Sequence, residues 1–417
     1  MSKKQIFTRT LITAAITLAS SQSMAAGFQL NAQSATGLGR AFAGDGVIAD
    51  NASSMAKNAA SMTLFDAPAL SLGVIAIDSD IKVKDTKFST SMMSDSVNDA
   101  SIGGTSYAPN IYYIQPINEK LSVGASLYSN FGTKTEFPSD YGKQRLIGLN
   151  DLFGGITDVK SINLGLSAAY RLSHQLSIGG GLDVIYGQGK LQRGRNSAIL
   201  GGKDALNIDA DGVALGFNLG TIYEIDKNNR YGLSYRYSPT LEAKGDMSYG
   251  GNDIGNEKLK MPLPDMAEFS GFNKLNDKFA VHYSIQWIRW SEFDKLETTG
   301  GSFTKAYEWQ DSWHYSIGGT YYLNNKWTLR AGYMYDTSAQ NELTSISVPD
   351  SDRNWLSSGF SYHLDSKSTI DFGVTYLIGK DVKVNESQPV PVLGNASVSA
   401  TTRANAWLYG LQYSRSF

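Results

Sequence analysis

The sequence predicts an all-β protein: a transmembrane antiparallel β-barrel of about 14 strands with an N-terminal hatch, or plug, inside its lumen. Three observations carry that prediction. From about Ala69 onward the residues alternate with period two, and one face is apolar and aromatic while the other is small, glycine-rich and sparsely charged. Short polar turns recur about every 50 residues, the rhythm of a hairpin plus a longer loop. The chain opens with an export leader, and charged residues make up only 18% of it while Gly (42) and Tyr (23) are plentiful.

Residues 1–25 read as a signal peptide. Lys3, Lys4 and Arg9 are its basic region, Leu11 to Ala19 its apolar core and Ser23-Met24-Ala25 its small-residue cleavage site. The apolar run is short of the ~20 residues that a spanning helix needs, so a membrane anchor is the poorer reading. With Cys at 0 there is no disulfide framework, thiol nucleophile or Cys-ligated metal, and a formal charge of −2 argues against a nucleic-acid partner.

Residues 26–66 lack the alternation and are crowded with Ala, Gly and Ser. Asp50-Asn51 ahead of Ala52 to Lys57 can cap one or two helical turns, and a compact segment of small residues before a barrel is most simply a plug. The alternative is a disordered tail. Gly37-Leu38-Gly39 is no dinucleotide fingerprint, because no strand precedes it.

Residues 67–417 form the barrel. Trp407, Tyr409, Leu411, Tyr413 and Phe417 share one face, Gly410, Gln412, Ser414 and Ser416 the other; Phe279 to Trp287 and Trp327 to Asp336 repeat the pattern. Turns are expected at Gln115 to Asn118, Ser173-His174, Asp226 to Asn229, Leu275 to Asp277, Asn324-Asn325 and Asp365-Ser366. Six turns join twelve strands, and one more at each end makes about 14. Polar stretches such as Asp85 to Gly103, Gln340 to Asp352 and Val384 to Thr402 are expected to be extracellular loops, and several of the seven Trp, near strand ends, a membrane-interface belt. The terminal Phe417 resembles the signal read by barrel-assembly machinery.

Catalytic readings are weaker. His282-Ser284 and His314-Ser316 place a base and a hydroxyl on one strand face, as an outer-membrane phospholipase does, but parity turns both pairs toward the lumen, where Ser and His ordinarily form cross-strand hydrogen bonds. There is no Gly-x-Ser-x-Gly elbow, no Walker A sequence and no His cluster for a metal, so neither a cofactor nor a catalytic residue is expected. A general porin would need an open, charge-lined channel, whereas the lumen faces hold few charges.

Gly27-Phe28-Gln29-Leu30, Ser34 through Gly44, Ile48 to Ala52, Ala108-Pro109-Asn110, Ser129-Asn130-Phe131-Gly132, Ala169 to Leu172, Asp226 to Tyr231, Pro349 to Arg353 and Trp355-Leu356-Ser357 resemble, in order, the landmarks of FadL-type long-chain fatty acid transporters. The resemblance runs from the leader to Phe417. It implies passive uptake of long-chain fatty acids or related hydrophobic molecules across the outer membrane of a Gram-negative cell, through an internal apolar pocket and a sideways exit into membrane lipid at a kinked third strand. The kink falls at Asn130-Phe131-Gly132, where glycine suits a break. Arg193 matches the family's carboxylate-binding arginine and has lumen parity with Asp183, Gly187 and Gly189; Lys305 falls near the partner lysine. The ordinary reading of both is a solvated rim residue. Phe28 is expected to line the pocket or anchor the hatch. Two departures stand out: the family's Asn-Pro-Ala hatch motif is Asn58-Ala59-Ala60, so the segment should be looser or more helical, and the loop available at residues 196–211 is short, so surface capture must be built differently. Burying about 15 methylenes at ~0.8 kcal/mol each gives a gross ~12 kcal/mol, against about 1.5–3 for a charged hydrogen bond. The apolar lining would thus supply affinity and the basic residues would select acids, with association costs making the gross sum an upper bound.

Overall fold

The computed structural model describes residues 27–91, 94–141, 149–197, 200–390 and 394–417; the expected leader, 1–25, lies outside them. Fourteen wall strands follow as antiparallel neighbours: β1 (Ala69–Ser89), β2 (Thr105–Pro116), β3 (Leu121–Tyr128, resuming at Gly132–Glu136), β4 (Ile156–Arg171), β5 (Leu176–Arg193), β6 (Leu206–Asp226), β7 (Asn229–Tyr237, continued by Leu241–Tyr249), β8 (Met266–Lys274), β9 (Phe279–Ile288), β10 (Ser312–Tyr322), β11 (Trp327–Asp336), β12 (Arg353–His363), β13 (Ser368–Gly379, continued by Val382–Val390) and β14 (Gly394–Ser416). β14 pairs back onto β1 from Ala69↔Ser416 to Ser89↔Ser397, which closes the barrel and removes the free edges.

All six expected turns join strand pairs, and they share one chemistry. An Asn, Asp or Ser side-chain oxygen accepts backbone N–H groups two or three residues on, as Asn118 does from Lys120 and Leu121 (both 2.9 Å) and Asp226 from Asn228 and Asn229 (2.7 and 2.9 Å). The opposite ends differ from expectation. Much of the two polar stretches at 85–103 and 384–402 is strand: β1 runs on to Ser89, and Val382–Val390 pairs with β14 from Val382↔Thr402 to Val390↔Gly394. β-Branched residues such as Val382, Val384 and Thr402 extend the ladder despite their polar neighbours.

The outer face is apolar all round. Leu182 and Leu215 are each 69% exposed, and Leu166, Val213, Leu219, Leu233, Ile317 and Leu411 continue the band. A soluble surface would not carry such a band, and lipid is the solvent that suits it. Trp313, Trp327 and Trp407 are exposed, but Trp290, Trp309 and Trp355 are buried inside, so the expected Trp belt is only partial. The lumen also holds more charge than expected, in ion pairs: Arg40 with Asp45 (2.5 Å) and Asp50 (2.7 Å), Arg330 with Asp50 (3.2 Å), Arg236 with Asp183, and Lys57 with Glu268 (3.6 Å). Single charges on separate strands look sparse along the chain and converge once the barrel closes.

Residues 27–66 are almost wholly buried and reach inward-facing groups around the barrel. Ala35 N–H donates to Gln412 of β14 (3.1 Å), Gly44 N–H to Ser284 of β9 (3.0 Å) and Ala52 N–H to Ser71 of β1 (3.1 Å), while Tyr112 of β2 donates to the Gln33 carbonyl (2.9 Å). The segment contains α1 (Ala35–Leu38), capped by Ser34, and two 3-10 turns, Ala52–Ala56 and Ala59–Leu64, capped by Asn51 and Asn58. The glycine-rich inner wall has a steric cause here: a Cβ at Gly332 would collide with the Arg40 carbonyl, and one at Gly179 with the backbone of Ala60.

Candidate functional site

Phe28 hangs from the third strand. Between Tyr128↔Asn163 and Gly132↔Lys160, three residues of β3 oppose two of β4, so Ser129-Asn130-Phe131 bulges out of register. The freed edge pairs instead with the start of the N-terminal segment: Leu30 N–H donates to the Asn130 carbonyl (2.6 Å) and Gly132 N–H to the Phe28 carbonyl (2.8 Å). Gly132 is absent from the positive-φ glycines and begins the resumed strand, so the break precedes it and needs no left-handed glycine. On the far side, the β2–β3 ladder stops at Ile111↔Leu127, whereas the β1–β2 ladder continues to Thr105. Residues 105–110 of β2 therefore face a window in the wall, closed above by Glu136 N–H donating to the Ile102 carbonyl (3.4 Å).

The Phe28 ring lies against Trp290 (4.6 Å between centroids), Phe293 (5.2 Å), Trp309 (5.7 Å) and Phe131 (6.2 Å). Phe28, Phe293 and Trp309 border an apolar cavity of about 30 Å³, lined also by Val159, Leu191, Met261, Leu296, Tyr307 and Val348. That is room for a water or two, and a larger apolar guest would need the lining side chains to part. Strand segments Leu259–Met261 and Lys295–Thr298 flank it, the second paired in turn with Thr304–Ala306, together with the loop carrying Val348.

Arg193 ends β5 at the edge of this cavity, 7% exposed. Its guanidinium donates to the Ile156 carbonyl (2.5 Å), the Gln192 carbonyl (2.9 Å) and the hydroxyl of Thr157 (2.6 Å), itself a lining residue. Among the described residues no carboxylate forms an ion pair with it. Lys305 lies nearby, its ammonium 2.7 Å from Glu386 and 5.4 Å above the Tyr307 ring.

Asn58-Ala59-Ala60 lies away from these cations, against β5 and β6. Asn58 accepts from Ala60 N–H (3.0 Å) and donates to the Thr221 carbonyl (3.0 Å), and Ala59 and Ala60 are fully buried in a 3-10 turn. Without the proline the segment is helical and tightly packed. The His–Ser pairs make no internal hydrogen bond: His282 bonds Thr320 (3.0 Å), His314 bonds Gln286 (3.0 Å) and Asn31 (3.1 Å), and Ser284 serves Gly44 and Ser270. Sequence reasoning missed Glu386, Trp290, Phe293, Tyr307 and Trp309. Glu386 was findable: it shares parity with Val382 and Val384 and is the one acid on that face of the Val382–Val390 segment.

Residues 16–417 match the family described as Outer membrane protein transport protein (OMPP1/FadL/TodX). The chain is 35% identical to the long-chain fatty acid transport protein of Escherichia coli K12, with 100% of both chains covered, and 34% identical to outer membrane protein P1 of Haemophilus influenzae, with 99% of each covered. In fold it resembles a solved Pseudomonas aeruginosa FadL homologue (TM-score 0.83, 20% identity, 94% of this chain and 100% of that one) and the Ralstonia pickettii toluene transporter TbuX (TM-score 0.63, 17% identity, 92% and 100%). With the closed barrel, its lipid-facing band and its full-length relatives in hand, the chain belongs to the OMPP1/FadL/TodX family of outer-membrane transport proteins.

Proposed function

We propose that this protein is a passive outer-membrane channel for long-chain fatty acids. One observation carries the preference for an acid: the buried Arg193 guanidinium, without a carboxylate partner, at the edge of an apolar cavity. A buried cation is costly until an anion joins it, and the carboxylate of a bound acyl chain completes it. Phe28 and the rings around it take the chain, residues 26–66 act as the plug, and the window beside Ser129-Asn130-Phe131 is the lateral exit into outer-membrane lipid. Asn58-Ala59-Ala60 gates the plug against β5 and β6. Phe417, exposed at the barrel's end, is the handle for assembly machinery.

Uptake of labelled oleate by cells lacking their own transporter tests this, with oleate and methyl oleate binding measured on the purified protein. Arg193→Ala weakens oleate binding about tenfold or more, the worth of a charged hydrogen bond, and narrows the preference over methyl oleate. Uptake no better than vector, in cells where the barrel is assembled, sinks the oleate reading and points to the neutral aromatic molecules that the ring-lined cavity also suits.

A further inference from the structure

The cation partnering Arg193 at this site is already occupied. Lys305 holds Glu386 at 2.7 Å, and the same carboxylate accepts from the Ser345 hydroxyl (3.1 Å to Oε2, 3.4 Å to Oε1). The Glu386 side chain is only 11% exposed, on the Val382–Val390 extension beyond the lipid-facing band. Tyr307, whose ring lies under the Lys305 ammonium, also lines the apolar cavity, and Val348 in the loop that carries Ser345 lines it too. Burial opposes the charge on Lys305, yet Glu386 and Tyr307 together more than offset this and hold the ammonium's pKa above the ordinary lysine value. A mobile carboxylate arriving at this mouth therefore meets one cation unpaired, Arg193, and one engaged with a resident acid.

We propose that Glu386 is a stand-in for the substrate head group, a resident carboxylate that holds Lys305 until an incoming fatty-acid carboxylate displaces it. The inference rests on the fatty-acid reading above and adds a device for release. Exchange of one carboxylate for another keeps Lys305 hydrogen-bonded throughout, so the exchange is nearly balanced. A neutral chain cannot make the swap, because it would leave a half-buried ammonium without its partner. Glu386 thus turns a site that would hold acids tightly into one that exchanges them and lets them go.

The test compares binding of oleate and methyl oleate to the purified full-length protein, with the heat-dependent gel shift of an intact barrel confirming the fold of every variant. Glu386→Gln raises the preference for oleate over its ester about tenfold, because Lys305 is released to the ligand. Glu386→Asp keeps the charge but shortens its reach, and gives an intermediate rise. An unchanged or lower preference in E386Q overturns the proposal. So does a rise in E386Q with E386D matching wild type, since that pattern is plain charge repulsion and not displacement. If wild type shows no preference for oleate and Arg193→Ala changes nothing, the head-group site itself is wrong and this inference falls with it.

Discussion

Replacing Asp183 with alanine destabilises the barrel by about 3–5 kcal/mol, the largest stability effect expected of a single lumen substitution here. Asp183 of β5 is 1% exposed and pairs with Arg236 of β7, also accepting from Asn218 (3.2 Å). Arg236 in turn donates to the carbonyl of Ala56 in the N-terminal segment (2.8 Å) and lies 5.6 Å from the centre of the Tyr128 ring. The truncation leaves the guanidinium with the Ala56 carbonyl and the Tyr128 ring, neither of which neutralises it. A small polar cavity touching Arg236, about 30 Å³ and lined also by Asn218 and Lys57, admits some water, which favours the lower end of the range. Equilibrium urea unfolding in lipid vesicles measures the loss. The double variant Asp183→Ala, Arg236→Met recovers most of it, because removing both charges removes the stranded one. A single substitution costing less than about 1 kcal/mol would mean that the pair is solvated and no part of the link between wall and segment.

What the sequence made legible follows from period two. Wall strands alternate over most of their length, so their number, their lipid face and the lumen parity of Arg193 could be read from spacing, and all six turns carried the Asn, Asp or Ser that caps them. Parity gives no purchase once a chain leaves the wall. Trp290, Phe293, Tyr307 and Trp309 sit between β9 and β10 in short turns and crossing segments, so a Trp that looked like a belt residue folds back over Phe28. Long-range pairing was equally hidden. Lys305 and Glu386 are 81 residues apart, and Arg330 finds Asp50 across 280, so neither partner is visible from its neighbours. Glycine on the inner face was read as a sign of a polar lumen, whereas its cause at Gly179 and Gly332 is the approach of another backbone.

Deleting Asn130 should abolish uptake while leaving the head-group site able to bind. The three residues Ser129-Asn130-Phe131 span what two residues span on β4, and removing one restores the count. Phe131 is the residue to keep: its N–H already donates to Ser161 Oγ (3.0 Å) and its carbonyl accepts from Ser161 N–H (3.0 Å), so it holds the register of a straight strand. With the bulge gone, β3 can continue its ladder along residues 105–110 of β2, and main-chain hydrogen bonds fill the window. The cost is the pairing of Leu30 and Phe28 with the bulge, which is replaced by ladder bonds of the same kind. Oleate uptake then falls to vector level, whereas the preference of the purified protein for oleate over methyl oleate, which the proposal above assigns to Arg193, stays within about threefold of wild type. Hydrogen exchange at residues 105–110 confirms closure by its slowing. If uptake persists at the wild-type rate in a barrel whose third strand is shown to be straight, the exit lies elsewhere, and the bulge serves only to seat the N-terminal segment.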